Sequence, residues 1–348
     1  MKYVYNQEGI EQVNNYINDV QPSKVFILTD YQTQKFCLPV IEKQINMEFT
    51  NVNFKNGDQY KNLETLQKVW RELIEADADR KSLLINLGGG VVTDLGGLAA
   101  ATFKRGIKFI HIPTSLLGMV DAAIGGKNGI NFQHLKNQIG TIVQPEIICI
   151  YPEFLKTLPK KEIASGYAEM LKHGLIKDKN YWQQLLENYN KENQVFPSHL
   201  IKRSVEIKNE IITQDPHEQN IRKLLNFGHT LGHAIESYLN YELNMPVTHG
   251  HAVAIGMILE AFLSNLNNGL STKELVEITK SINLIYPYID FDNQAINKII
   301  NLLKFDKKNE NGKILFVLLK EIGKADFNKE VPTQDVIDAF DYYKKSRK

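Results

Sequence analysis

Four of the nine histidines fall between positions 229 and 251, and two of them belong to Arg222-Lys-Leu-Leu-Asn226-Phe-Gly-His229-Thr-Leu-Gly-His233-Ala-Ile-Glu236. Read as one helix at about 100° per residue, Arg222, Asn226, His229, His233 and Glu236 share an arc of roughly 80°. Leu224, Phe227, Leu231, Ala234, Ile235 and Tyr238 take the opposite side. A solvated face usually carries Lys and Glu, whereas Asn and two His flanked by glycines suit a pocket lining. Any single histidine is more often a satisfied structural residue; a pair at i and i+4, with His249 and His251 following, shifts the balance toward metal ligation. A metal site needs a third ligand, preferably a carboxylate. Glu169, in Ser165-Gly-Tyr-Ala-Glu169-Met-Leu-Lys172-His173, is the candidate. It shares a helical face with Lys172, and the two read equally well as an exposed ion pair worth about 0.2–0.5 kcal/mol. Two imidazoles, one carboxylate and an open position suit a catalytic zinc site. The HExxH spacing is absent, which disfavours peptidase chemistry.

Two further segments carry chemistry. Leu83-Leu-Ile-Asn-Leu87 runs into Gly88-Gly89-Gly90-Val-Val-Thr-Asp94 and then a small-residue stretch. A buried strand ending in glycines before a helix lets the backbone approach a pyrophosphate, whose charge the helix N-terminus favours. The spacing is not GxGxxG, so a tight turn that only packs helix on sheet is the competing reading. Asp94 is either an ordinary first-turn acid or a dinucleotide partner. The second segment, Pro113 to Asn128, is mostly small and apolar yet holds Asp121 and Lys127, the latter after Gly125-Gly126. Asp and Lys are seldom buried unless paired. Paired glycines would let the chain turn tightly and aim the ammonium at an anion. Lys136-Asn137 follows beside apolar Leu135 and Ile139. Surface lysines are the commoner outcome; the density of Gly, Asp, Lys and Asn favours a site.

These residues need elements to place them. Short apolar runs at 25–28, 83–87, 109–112 and 147–150, separated by helical patterns such as 61–76, predict a parallel sheet covered on both faces. From about Tyr151 helical patterns dominate, over 162–176, 180–189, 200–213, 224–239, 252–265 and 273–282. The run 313–319 reads as strand or helix, and Thr333 is expected to cap a last helix over 334–343. The chain of 348 residues is therefore read as an α/β domain over 1–151 and a helical domain over 152–348. Lys and Arg number 41 against 40 Asp and Glu, which removes the general electrostatic case for nucleic acid or a membrane surface. No run nears the ~20 apolar residues of a membrane span, and no signal peptide is evident. Cys37 and Cys149, the two cysteines, lie in apolar stretches that suit a reducing compartment. A soluble, cytoplasmic protein is expected.

Taken together, GDQYK, GGGVVTDLGG, PTSLLGMVDAAIGGKNGIN, KNQIG, LPKKEIASGYAEMLKHG, LLNFGHTLGHAIE and THGHAVAIGM resemble the 3-dehydroquinate synthase family of sugar-phosphate cyclases over nearly the whole chain. The resemblance implies a Rossmann-like NAD-binding α/β domain, a helical C-terminal domain and a homodimer. It implies a metal, zinc or cobalt, on Glu169, His229 and His249, with His233 turned to substrate. Asp121, Lys127, Lys136, Asn137, Lys172, Lys208, Glu218, Arg222 and Asn226 would line the substrate pocket, with Lys127, Lys172, His233, Asp121, Asn137 and Glu218 nearest the chemistry. Arg105 would reach a phosphate across the dimer contact, and Arg222 would pair with the substrate carboxylate. NAD would lie on Gly88, Gly89 and Gly90 beside Thr114 and Ser115, with Asp94 and Thr157 near the nicotinamide and Asp58 and Lys61 near the adenosine. Lys127 and Lys136 would also serve the cofactor, and Lys307 or Lys308 would close the site. The implied reaction turns 3-deoxy-D-arabino-heptulosonate 7-phosphate into 3-dehydroquinate and phosphate by transient oxidation, elimination, re-reduction and aldol closure.

Three positions depart from the family pattern. Asp58 stands where Glu is usual and reaches one methylene less far. His251 replaces a Glu beside His249, where it would compete for the metal or change its electrostatics. Asn128 stands where Thr is common. The nearest alternative is another cyclase such as 2-deoxy-scyllo-inosose synthase, whose substrate has no carboxylate for Arg222. A polyol dehydrogenase or a non-catalytic sensor of the same fold are further alternatives.

Overall fold

The computed structural model describes residues 2–133, 135–190, 196–303 and 314–347. The chain divides into two compact units, Met1–Pro159 and Lys160–Lys348.

The first unit contains strands β1 (Lys2–Tyr5), β2 (Val25–Asp30), β3 (Thr50–Phe54), β4 (Leu83–Gly88), β5 (Lys108–Pro113), β6 (Lys127–Phe132), β7 (Leu135–Ile142) and β8 (Ile147–Ile150). Its helices are α1 (Asn6–Val20), α2 (Tyr31–Phe36), α3 (Leu38–Glu42), α4 (Leu63–Glu75) and α5 (Gly90–Thr102). Six strands form a parallel sheet in the order β1-β8-β5-β4-β2-β3. The apolar runs read from sequence are its four inner strands, β2, β4, β5 and β8, buried on both faces. The edges β1 and β3 alternate and keep polar, partly exposed positions, so they lack that signal. From β2 the chain moves out to β3; from β4 it moves the other way, to β5. The crevice beyond the ends of β2 and β4 is thus the topological switch point, where open α/β sheets bind ligands. The glycine-rich turn leaves β4 at that point.

A separate antiparallel hairpin, β6–β7, packs on α5. Its anchor is Asn128, whose side-chain amide donates to the carbonyls of Gly126 and Val143, both at 2.9 Å. A Cβ at Gly97 would stand 1.8 Å from the Asn128 Oδ1, so α5 approaches the hairpin this closely only through glycine. Asn128, expected to be a departure from the resembled pattern, is thus accommodated by packing.

The second unit holds α6 (Lys160–Lys177), α7 (Lys179–Asn188), α8 (Ser198–Gln214), α9 (His229–Ser237), α10 (His249–Asn267), α11 (Thr272–Ile285), α12 (Asn293–Leu303) and α13 (Thr333–Lys345). Helix α10 is buried on nearly every side, as its Ala, Val, Ile, Met and Leu content demands. It packs against α6, α9, α11 and α13. The ambiguous apolar run is a strand, β9 (Leu315–Glu321), paired antiparallel with β10 (Lys324–Glu330). The half-exposed, polar β10 left no clear sequence signal, whereas α12 was missed although Ala295, Ile296, Ile299 and Leu303 recur at helical spacing on its buried face. Thr333 is the first residue of α13 and makes no side-chain cap; Pro332 occupies the cap position. Among the described residues no helix is long and apolar enough to cross a membrane.

One expected element is broken. Ile221–Asn226 forms a 3-10 turn, and α9 starts afresh at His229 after Gly228 at φ 76°. Arg222 and Asn226 therefore do not continue the face that carries His229 and His233. Periodicity across 222–236 does not register the break, which falls at Gly228 in the left-handed region; α10 packs against that turn, where a Cβ at Gly256 would lie 2.0 Å from the Gly228 carbonyl oxygen.

Candidate active site

In the first unit the Gly88–Gly90 turn is lined by the segment after β5. The Thr114 amide donates to the Gly88 carbonyl at 3.0 Å, and a Cβ at Gly89 would sit 3.2 Å from Ser115 Oγ. Gly89 caps α5, so the first amides of a 13-residue helix, which have no intrahelical partner, face the end of β4. Lys61, buried, donates to Asp94 Oδ2 at 2.9 Å and to Asn137 Oδ1 at 2.6 Å. The structure thus joins three residues that lie far apart in sequence. Asp58 is held by Asn131, whose Nδ2 donates to its Oδ2 at 3.0 Å, while Asn131 Oδ1 accepts the Asn137 amide at 3.0 Å. Asn131 was missed by sequence reading, although it ends the GKNGIN motif.

Lys127, Lys136 and Asn137 are exposed on the hairpin, and Asp121 is half-buried in the turn before it. Arg105 is exposed on a turn where Lys104 and Arg105 both have positive φ, 48° and 70°. Two successive non-glycine residues in the left-handed region carry backbone strain that packing must hold. Thr157 is exposed, its hydroxyl donating to the Phe154 carbonyl at 3.3 Å.

In the second unit Glu169, His229 and His249 converge. Glu169 Oε1 lies 3.4 Å from His229 Nε2 and 3.5 Å from His249 Nε2. These two histidines are each the first residue of a helix, α9 and α10. His229 Nδ1 contacts the Phe227 carbonyl at 3.0 Å, which makes Nδ1 the protonated nitrogen and leaves the Nε2 lone pair toward Glu169. His249 Nδ1 lies 3.2 Å from Glu236 Oε2. Each imidazole is thus oriented by an oxygen on its far nitrogen, as metal-ligating histidines are. His233 joins the cluster, half-buried, with one ring nitrogen each of His229, His233 and His249 all within 4.8 Å of one another. Its ring stands edge-on to His229, centroids 5.1 Å apart.

The electrostatics suit a cation. Glu169 is fully buried and pairs with Lys172, also buried. Burial opposes its charge, but the Lys172 ammonium holds its carboxyl well below the usual range. Burial, then Lys172, push His229 down, so it is neutral, as a metal ligand must be. Burial would also lower His249, but Glu169 and Glu236 prevail and raise it to about 9.

The remaining polar residues form a loop around Asp215. Its carboxylate accepts the amides of Gln219, Asn220 and Arg222 at 3.0, 2.7 and 3.1 Å. Arg222 is buried, and its Nη1 donates to the Pro216 carbonyl at 2.7 Å. Asn226 donates to Glu218 Oε1 at 3.0 Å. Lys208 is buried on α8. Asp215 and Glu236 were not read as site residues; an acid after a helix end and an acid on the histidine face were their only signals. His251 does not point at the cluster. Its Nε2 meets the Pro287 carbonyl at 2.8 Å and its ring lies against Tyr286. Lys307 and Lys308 lie outside the described residues.

Comparison with known proteins decides the family. The description of the 3-dehydroquinate synthase N-terminal part matches residues 51–165, and that of its C-terminal part matches 166–309. The chain belongs to the 3-dehydroquinate synthase family. A 3-dehydroquinate synthase of Parabacteroides distasonis is 41% identical over 99% of this chain and 98% of its own. One of Campylobacter jejuni subsp. jejuni is 39% identical over 90% and 91%. Among solved structures, the 2-epi-5-epi-valiolone synthase ValA of Streptomyces hygroscopicus subsp. jinggangensis, with NAD+ and Zn2+ bound, superposes with a TM-score of 0.87 at 26% identity, covering 99% of this chain and 96% of that one. The fold of this 3-dehydroquinate synthase family member, a parallel-sheet unit followed by a helical one, is thus shared with other sugar-phosphate cyclases.

Proposed function

We propose that the protein is a 3-dehydroquinate synthase, a lyase converting 3-deoxy-D-arabino-heptulosonate 7-phosphate to 3-dehydroquinate and phosphate in the shikimate pathway. The observation that carries the reading is the Glu169–His229–His249 cluster with Lys172 on the same carboxylate, in a chain about 40% identical to relatives of that name. The donor set, two imidazole nitrogens and a buried carboxylate oxygen, fits a divalent ion, Zn or Co, better than any packing role. The glycine turn at the switch point fits the pyrophosphate of NAD.

When bound, NAD supplies a reversible hydride acceptor and the metal a Lewis acid at a substrate hydroxyl, so oxidation, elimination, re-reduction and ring closure leave the cofactor unchanged. The chain's own residues do the rest. Gly88, Gly89 and Gly90 with Thr114 and Ser115 seat the dinucleotide, with Thr157 and Asp58 as further contacts; Asp94 and Lys61, expected at opposite ends of NAD, are bonded to each other at 2.9 Å and so serve one part of it together. Arg222 pairs with the substrate carboxylate and Arg105 reaches the phosphate across the dimer contact, because planar guanidinium donors match these anions; Lys127 and Lys136 line the substrate pocket and also serve the cofactor. Lys172, Lys208, Glu218, Asn226, Asp121 and Asn137 hold the substrate hydroxyls, and His233, beside the ligands but not among them, serves proton movement. A homodimer in the cytoplasm completes the reading; exposed Leu135 and Ile142 on β7 support a protein contact there.

Phosphate release tests it. With the heptulosonate phosphate, NAD and metal, phosphate appears without net NADH; chelation abolishes release and divalent metal restores it. Accumulating NADH, or full activity in metal-free protein, overturns the reading.

A further inference from the structure

Helix α10 is apolar on nearly all sides, yet it buries an acid completely, Glu260. A buried carboxylate is costly unless hydrogen-bonded. Glu260 meets that cost at the start of α9: Oε2 accepts the Gly228 amide at 2.7 Å, and Oε1 accepts the Leu231 amide at 3.1 Å. These are among the amides that a helix N-terminus leaves without an internal partner. Negative charge there is also favoured by the helix dipole.

The two helices run antiparallel and are held at both ends. At one end Glu260 of α10 takes the N-terminus of α9, where His229 is the first residue. At the other, Glu236 of α9 takes His249, the first residue of α10. Between them, Gly256 and Gly232 bring the backbones together: a Cβ at Gly232 would lie 3.0 Å from the Val253 Cα. This close glycine crossing limits sliding, and the Glu260 carboxylate, bonded to two amides at the start of α9, adds a directional tie along the helix axis. We propose that Glu260 is a positioning residue for the candidate metal centre, fixing the register of α9 along α10 and so the placement of His229 relative to His249 and Glu169. This rests on the metal reading of that cluster, which the test separates.

The test uses the full chain, loaded with Co2+ and, in chelator competition, with Zn2+. Glu260→Gln keeps shape but presents an amide N–H₂ to a backbone amide, so one of the two bonds is lost. Affinity for both ions should fall about 10- to 100-fold, the range for changes to groups that orient metal ligands, and the Co2+ visible spectrum should change. Glu260→Asp keeps the charge but sits one methylene short, so it should fall between wild type and Gln on both readouts. If Gln does not fold, the Asp variant decides. Unchanged affinity and spectrum in a folded variant, with His229→Ala abolishing binding, overturn the role of Glu260 and leave the metal reading intact. A wild-type chain that takes up no Co2+, or a His229→Ala chain that binds it as well, overturns both.

Discussion

Lys172→Met separates the two tasks that the buried Glu169–Lys172 pair performs. Both side chains are essentially inaccessible, 1% and 0% exposed. Removing one partner of such a pair typically costs about 3–5 kcal/mol, because a charge is left buried without compensation. Here His249, raised to about 9 and 3.5 Å from Glu169, still offers a proton near neutral pH, so the lower end applies. For a unit the size of Lys160–Lys348, about 3 kcal/mol corresponds to a Tm lower by roughly 6–12 °C in metal-free protein. The Glu169 carboxyl lies well below its ordinary value of 4.5. Its contribution is therefore present above that pH and lost as pH falls through the depressed folded value, and the variant should show a weaker acid transition. A dication would replace the missing positive charge. Metal should therefore raise the Tm of Lys172→Met more than that of wild type, while phosphate release is lost. Calorimetry of metal-free and Zn2+-loaded chains reads both effects. A Tm change below about 2 °C without metal, or an equal metal-induced rise in the two proteins, would refute the argument.

Metal affinity should also depend on pH through His249. Its proton must leave before the nitrogen can ligate, so affinity should rise about tenfold per pH unit from near neutrality and level off above the raised value, which is about 9; a flat profile in chelator competition would contradict this. In metal-free protein the same shift acts oppositely: its stabilisation is full below the ordinary 6.5 and fades as pH rises through about 9. Gly97→Ala should cost about 1–3 kcal/mol in urea unfolding, because the new methyl meets Oδ1 of Asn128, the residue whose Nδ2 anchors the hairpin. Asn128→Ala in the same chain should recover part of that loss, and simple additivity of the two changes would show that the contact is not the cause.

Much of the site was visible in residue types. The two helix histidines, the glycine turn, the Glu169–Lys172 spacing and the four inner strands all follow from local pattern, because period and composition are properties of contiguous sequence. The reading failed where partners are distant. One helix over 222–236 was expected, yet it is broken at Gly228, a turn against which Gly256 and Glu260 of α10 pack. His251 looked like a competing ligand by adjacency to His249, but on a helix neighbours two apart face different ways, and it turns to Pro287.

The amino-acid sequence alone determined the kinds of donor present, the inner strands that carry the glycine turn, and the neutral charge sum that hides a cationic set of lysines and arginines. Tertiary structure decided which donors meet. Glu169, His229 and His249 come from three helices, and Lys61, Asp94 and Asn137 from segments far apart. Such meetings depend on how closely helices cross and where buried carboxylates find amides. Those distances are set by packing between elements, which no local periodicity encodes.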